Sequence, residues 1–287
     1  MQKQKILILG ATGMAGHIAY YFLKSTDKYE ISNAVFRNKL TEDSIILDVT
    51  NPSDVERIIT SVNPNIIINC IGVLIKGSKD HPDNAIYINA YFPHLLKRIA
   101  DDCNAKLIHI STDCVFSGKK GQYTETDFRD ADDVYGRSKA LGEINNDKDL
   151  TIRTSIIGPE LKQYGEGLFH WFMQQTGSVN GYINAFWGGV TTLELAKALD
   201  LAIENKITGL VHLTNGDKIS KFDLLNQFNE IWSRNLTVNP YEGKNVDKSL
   251  VKSEVFEFQV TSYQQMLLDQ FDWMNKNTEL YSVYKSK

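Results

Sequence analysis

Three cysteines in 287 residues are too few for a disulfide framework, and Cys70, Cys103 and Cys114 have no metal-ligand spacing. No pair of the six histidines has such a spacing either, so no catalytic metal is expected. Charge of one sign is also missing. The 31 Lys and Arg against 35 Asp and Glu leave a formal net charge of -4, which gives no reason to expect nucleic acid or an anionic membrane as partner. No apolar run approaches the roughly 20 residues that span a bilayer, so membrane insertion is not expected. The opening MQKQKILILG runs straight into a strand pattern, without the apolar core and small-residue cleavage site of a signal peptide. A reducing cytoplasm is the expected compartment.

What is present is a rhythm. Lys5–Leu9, Ile31–Phe36, Ser44–Leu47, Ile66–Asn69, Lys106–Ile110 and Leu150–Thr154 are short apolar runs that read as strands. Helix patterns alternate with them at Met14–Lys24, Pro52–Ser61, Asn84–Asp101 (with Pro93 as a bend) and Tyr135–Glu143. Strands alternating with helices predict an α/β fold, a Rossmann-type doubly wound parallel sheet, covering residues 1–155. After Ser155 the rhythm changes. Aromatic residues and glycines cluster in 167–189, and helices are expected at Thr191–Glu204, Ser220–Trp232 and Thr261–Asn275, with a short strand at Leu210–Leu213. Residues 156–287 are expected to form mainly a smaller mixed α/β substrate lobe, with some segments returning to the Rossmann core. The polar stretch Tyr241–Lys252 reads as loop.

Between the first strand and the first helix lies Gly10-Ala11-Thr12-Gly13-Met14-Ala15-Gly16. Glycines at 10, 13 and 16 allow a sharp turn, close approach to a pyrophosphate and tight packing of helix on sheet, and the helix N-terminus offers its free N–H groups to phosphate. The second strand runs out into Arg37-Asn38-Lys39, two positive charges and no acid. That favours a 2′-phosphate, hence NADPH, with NADH as the alternative and a solvated basic turn as the bland reading. Asp48, followed by Val49 at the end of the third strand, suits either an adenine amino group or a helix cap. Further on, DVYGRSK places Tyr135 and Lys139 one turn apart on one helix face. An ammonium beside a phenol lowers its pKa towards the range of a working acid–base catalyst.

GATGMAG after the first strand, STDCVFSG after the fifth and YGRSK on the next helix form an ordered set. With it the chain resembles the extended short-chain dehydrogenase/reductase superfamily, and within that the dTDP-4-dehydrorhamnose reductase family. ISTDCVFSG at 110–118 is the most telling piece. QYTETD at 122–127, IRTS at 152–155 and WGGVTTLELA at 187–196 are also similar to the family, and the resemblance runs from residue 5 to about 235. It implies that Tyr135 is the general acid, that Lys139 binds the nicotinamide ribose, and that Thr112 bonds the substrate carbonyl, with Ser111 as rival. It also implies cofactor contacts from Gly10, Thr12, Gly13, Met14, Gly16, Arg37, Asp48, Val49, Cys70, Ile71 and Gly72, and substrate contacts from Thr112, Cys114, Val115, Ile156 and Trp187. Asn89 is expected either to support the site through water or to pack a helix.

The departures are informative. Dehydratases of nucleotide sugars carry T-D-E where this chain has Thr112-Asp113-Cys114, so that chemistry is disfavoured. The rhamnose reductases usually have tyrosine at Cys114 and tryptophan at Ile156, which leaves the sugar open. The STDCVFSG wording is also similar to reductases of UDP-linked N-acetylated 6-deoxy sugars. No motif positions a histidine to activate Cys114 as a nucleophile. The expected function is NADPH-dependent reduction of the 4-keto group of a nucleoside-diphosphate 4-keto-6-deoxyhexose, dTDP- or UDP-linked, for surface polysaccharide. The alternatives are a nucleotide-sugar epimerase and a non-catalytic dinucleotide-binding regulatory subunit. The expected partner is the nucleotide sugar, with a homodimer as a candidate assembly.

Overall fold

The computed structural model describes residues 3–284. Its centre is a seven-stranded parallel sheet. β1 (Gln4–Leu9) leads through α1 (Met14–Ser25) to β2 (Tyr29–Val35) and β3 (Ile45–Ile46), and α2 (Pro52–Val62) leads on to β4 (Ile66–Asn69). The apolar run of β1 alternates between two cores. Ile6 and Ile8 face α1, while Leu7 and Leu9 face α2 and the helices that follow β4. Burial on both faces is why these strands read as continuous hydrophobic runs.

The helix expected over 84–101 is three pieces. After α3 (Ile75–Asp80) come α4 (Pro82–Ala85), a π-helical turn at Ile86–Tyr91, and α5 (Phe92–Asp102). Pro93, which has no N–H to give, falls in the first turn of α5 where none is needed. β5 (Lys106–Thr112) ends in a 3₁₀ turn at Asp113–Val115 and is followed by α6 (Val134–Leu141) and β6 (Leu150–Thr154).

Short pieces then build the smaller lobe: β7 (Ile156–Ile157), α7 (Leu168–Met173), β8 (Ser178–Tyr182), β9 (Ala185–Trp187) and β10 (Val190–Thr191). The chain returns to the main layer with α8 (Thr192–Glu204), which packs on α1, and β11 (Gly209–His212), which pairs in parallel with β6. β12 (Ile219–Ser220), α9 (Lys221–Ile231), β13 (Thr237–Tyr241), β14 (Val246–Asp247) and α10 (Tyr263–Lys276) follow. The reading of 241–252 as loop is corrected in part. Tyr241 ends β13 beside β8, and Val246–Asp247 pair with β9, because backbone pairing here is made by a distant segment and leaves no local pattern.

The strand order is β11-β6-β5-β4-β1-β2-β3. Chain direction along the sheet reverses between β1 and β4, and the crevice at their carboxyl ends is where such sheets bind ligands. Among the described residues no helix is long and apolar enough to cross a membrane, and no group of three or more His, Cys, Asp or Glu side chains could hold a metal ion.

Candidate active site

The glycine loop sits at that crevice. Gly10 has φ +75°, and a β-carbon on Gly16 would lie 2.3 Å from the Gly10 carbonyl oxygen. Only glycine lets α1 start this close under the turn. Gly13 and Met14 line a cavity of about 390 Å³, with Cys70, Ile71 and Gly72 from the end of β4. Its other wall is Ile110 to Cys114, Tyr135, Lys139 and Thr154 to Ile156. One cavity therefore brings together the glycine loop, the strand-end threonine and the Tyr/Lys pair.

Local structure explains how. The Asp133 carboxylate accepts the Gly136 N–H at 2.7 Å and starts α6. A β-carbon at Gly136 would lie 2.2 Å from the Cys114 carbonyl oxygen, so α6 presses directly on the turn after Thr112. The Asn89 side chain, inside the π turn, pairs with both Val73 N–H (2.9 Å) and Val73 C=O (3.0 Å) and donates to Ser138 Oγ (3.1 Å). It thereby ties the loop after β4 to the turn between Tyr135 and Lys139.

The electrostatics differ from the expected Tyr/Lys couple. Lys139 Nζ donates to the Ile110 carbonyl at 2.7 Å and lies 3.4 Å from His109 Nε2. Burial pushes its pKa down to about 8, against an opposing pull from Glu143. The Tyr135 phenol is raised well above its usual range, chiefly by burial and then by Cys114, while hydrogen bonding with Thr112 acts the other way. The expected depression by Lys139 is absent because the ammonium is turned onto the backbone and desolvation of the phenol dominates. His109, beside it, is held neutral by burial and by the Lys139 charge.

Ser111 and Thr112 are distinguished by their partners. Ser111 donates to Glu143 Oε1 at 2.7 Å, and Glu143 is itself held by Arg153 at 2.6 Å in a buried pair. Thr112 Oγ1 donates to Asp113 Oδ1 and accepts the Cys114 N–H, both at 3.1 Å. Burial raises the carboxyl of Asp113. Burial also pushes the Cys70 and Cys114 thiols up to about 12, so both are neutral walls.

A second cavity, of about 730 Å³, continues from Thr12 past Arg37 and Lys39 to Leu161 and Lys162. The Arg37 guanidinium stacks 4.5 Å over the Phe36 ring. Among the described residues Arg37, Lys39 and Lys162 have no carboxylate within 4 Å, although Asp48 feels the Arg37 charge. A glycine cradle, a helix N-terminus with no side-chain cap and three cations without a carboxylate partner among the described residues fit an elongated dinucleotide carrying an extra phosphate.

Other expected residues lie elsewhere. Asp48 is outside both cavities, its Oδ1 accepting Thr50 N–H (3.0 Å) and Oγ1 (2.7 Å), and Asn51 rather than Asp48 caps α2. Val49 is buried, with its carbonyl accepting the Tyr87 hydroxyl. Val115 packs with Phe116 and Tyr123, and Trp187 packs against Tyr263, so neither is on a cavity wall. Cys114 and Ile156 are. Conversely, Leu74, Ile75, Glu160, Lys162, Glu166 and Gly167 line the first cavity unforeseen. Glu160–Gly167 is a loop whose residues match no motif. It crosses between the cavities because Glu160 Oε1 accepts the Gly167 N–H and Tyr284 anchors Glu160 N–H.

Comparison with known proteins gives the family. The model of the family described as RmlD substrate binding domain matches residues 4–284. The chain is 34% identical to a dTDP-4-dehydrorhamnose reductase of Aggregatibacter actinomycetemcomitans over 234 residues, 76% of each chain. A crystal structure of a hypothetical dTDP-4-dehydrorhamnose reductase from Sulfolobus tokodaii covers 90% of this chain and 96% of its own, with TM-score 0.79 and 26% identity. The dTDP-4-dehydrorhamnose reductase of Bacillus anthracis, solved with NADP, covers 95% of this chain and all of its own, with TM-score 0.81 and 23% identity. The chain therefore belongs to the RmlD family, the dTDP-4-dehydrorhamnose reductase-like sugar-nucleotide reductases of the extended short-chain dehydrogenase/reductase superfamily.

Proposed function

We propose that the protein reduces the 4-keto group of a nucleoside-diphosphate 4-keto-6-deoxyhexose with NADPH, as a cytoplasmic step towards a surface polysaccharide. The observation that carries the reading is the single cavity walled by Gly13–Met14, Thr112, Tyr135 and Lys139. NADPH supplies a hydride when bound. Everything else falls to the chain. The Tyr135 phenol is kept protonated by burial, which is the form a reductive step uses, and gives its proton to the developing alkoxide at O4. The Thr112 hydroxyl turns from Asp113 to orient that oxygen. Lys139, held at the Ile110 carbonyl, would bind the ribose of the cofactor. NADPH rather than NADH is favoured by Arg37, Lys39 and Lys162 around the second cavity, and by the NADP held in the Bacillus anthracis structure. The exposed apolar residues Ile86, Tyr91 and Leu141, on packed neighbouring elements, offer a surface for a homodimer.

The test is NADPH oxidation by the purified protein against dTDP- and UDP-linked 4-keto-6-deoxy sugars, with and without N-acetylation at C2. Oxidation with one member, reduced about 100-fold or more in Tyr135→Phe while NADPH still binds, is the expected result. A Tyr135→Phe variant with full activity would exclude the acid role, whereas NADPH binding without oxidation of NADPH by any member of the panel would favour a dinucleotide-binding subunit.

A further inference from the structure

Around the Asp113–Cys114 wall of the cavity the chain carries positive charge that the motifs do not assign. The segment 244–251 is strapped across the turn that follows Cys114. Asp247 N–H donates to Gly118 C=O at 2.8 Å, Tyr123 N–H to Ser249 C=O at 2.9 Å, and Val251 N–H to Tyr123 C=O at 2.8 Å. This strap lays Lys248 along the turn, its Cγ 3.0 Å from the β-carbon position of Gly118, and Cys114 and Asp113 are among the groups that bear on its ammonium. Lys221 opens α9, and its charge is felt by Asp113, while exposed Lys244 adds a further positive charge that bears on Lys221.

These cations have no fixed counter-ion. Lys218 is paired with Asp247 at 2.5 Å, but among the described residues Lys221, Lys244 and Lys248 have no carboxylate within 4 Å. The acids that face them are already occupied. Asp113 is buried and accepts Thr112 Oγ1, and Asp133 caps α6. Lys221 and Lys248 are both half-buried, so they are partly desolvated with no carboxylate partner among the described residues, an arrangement that favours an incoming anion.

The position of this charge fits one part of a sugar nucleotide. C1 and C4 lie opposite each other in a hexose ring. A ring with C4 at Tyr135 therefore sends its C1 substituent away from the glycine loop, which holds the cofactor. We infer that Lys248 and Lys221 form the subsite for the substrate's diphosphate, bridging from the Asp113–Cys114 wall to the start of α9. The inference rests on the nucleotide-sugar reading above and specifies which residues hold its anion. Lys248 lies along the turn that follows Cys114, so the strap sets the distance between the anchored diphosphate and the reacting carbonyl.

The experiment is calorimetric titration of the NADPH-loaded protein with UDP and dTDP, with uridine and thymidine as charge-free controls. The unaltered protein is expected to bind one of the diphosphates and neither nucleoside. Lys248→Met and Lys221→Met should each weaken that binding about tenfold or more, while NADPH affinity stays within about twofold. Lys248→Arg and Lys221→Arg keep the charge and should stay within about threefold, which separates loss of charge from loss of fold. That pattern supports the inference even if no 4-keto sugar is reduced. Unchanged diphosphate binding in the double Met variant overturns the inference and leaves the reductase reading standing. Parallel loss of NADPH binding assigns the lysines to the cofactor and also overturns it. Failure of the unaltered protein to bind either diphosphate overturns it together with the nucleotide-sugar reading.

Discussion

The Lys139 ammonium is buried with a backbone carbonyl and an imidazole as its polar neighbours. Its pKa in the fold, about 8, lies below the ordinary 10.5, so the folded state binds this proton less tightly than the unfolded chain does. At pH 7 the charge therefore lowers stability, and the penalty fades as pH rises from about 8 to 10.5. Lys139→Met is expected to unfold at higher urea, by about 1–3 kcal/mol at pH 7, while turnover falls about 100-fold or more. Equal or lower stability in that variant would mean that the Ile110 and His109 contacts outweigh desolvation. Tyr135 shows the same principle in reverse: burial favours its neutral form, and the neutral phenol is the proton donor.

At the scale of elements, the βα turns carry the site. Gly16→Ala places a methyl group against the Gly10 carbonyl, so α1 must shift from the sheet. It is expected to cost about 1–3 kcal/mol in urea unfolding and to weaken NADPH binding more than tenfold in a fluorescence titration. The strands of the first half were legible because their apolar runs are buried on both faces. GATGMAG, STDCVFSG and YGRSK were legible because close backbone contacts restrict residue choice there. Less was legible where tertiary pairing decides. β14 has two residues and pairs with the distant β9, and the loop of Glu160 and Lys162 is held at the cavities by Gly167 and by the distant Tyr284. Trp187 looked like a pocket residue, but an aromatic ring beside Tyr263 in the core has the same local sequence signature. Asn89 stood in a helix pattern that did not reveal the π turn aiming its amide at Val73 and Ser138.

For the whole molecule, the two halves share one core. Ala15, Ala19 and Leu23 of α1 cluster with Leu195, Ala198 and Leu199 of α8, and β11 closes the sheet beside β6. The end of the described chain also returns to the cofactor side. His17 Nε2 meets the Tyr281 hydroxyl at 3.1 Å, and His17 Nδ1 meets the Gly13 carbonyl at 2.8 Å. Burial pushes His17 down to about 4, below its ordinary 6.5. Stability is thus complete above pH 6.5 and lost as pH falls towards 4, where the unfolded chain takes a proton that the fold refuses. Urea unfolding followed from pH 7 to 4 should steepen by roughly 1.4 kcal/mol per pH unit for each such histidine. His17→Gln should remove about one proton's share. An unchanged slope in that variant would place the acid sensitivity elsewhere, with buried His212 the next candidate.

The central claim is hydride delivery to C4 with Tyr135 as the acid, and isotope transfer tests it most directly. NADPH carrying deuterium on the transferred position would be incubated with the 4-keto sugar nucleotide that the panel selects. The account predicts one deuterium at C4 of the product, its amount matching the NADPH oxidised, and negligible product from Tyr135→Phe. Product without deuterium at C4, or full yield from Tyr135→Phe, would contradict it.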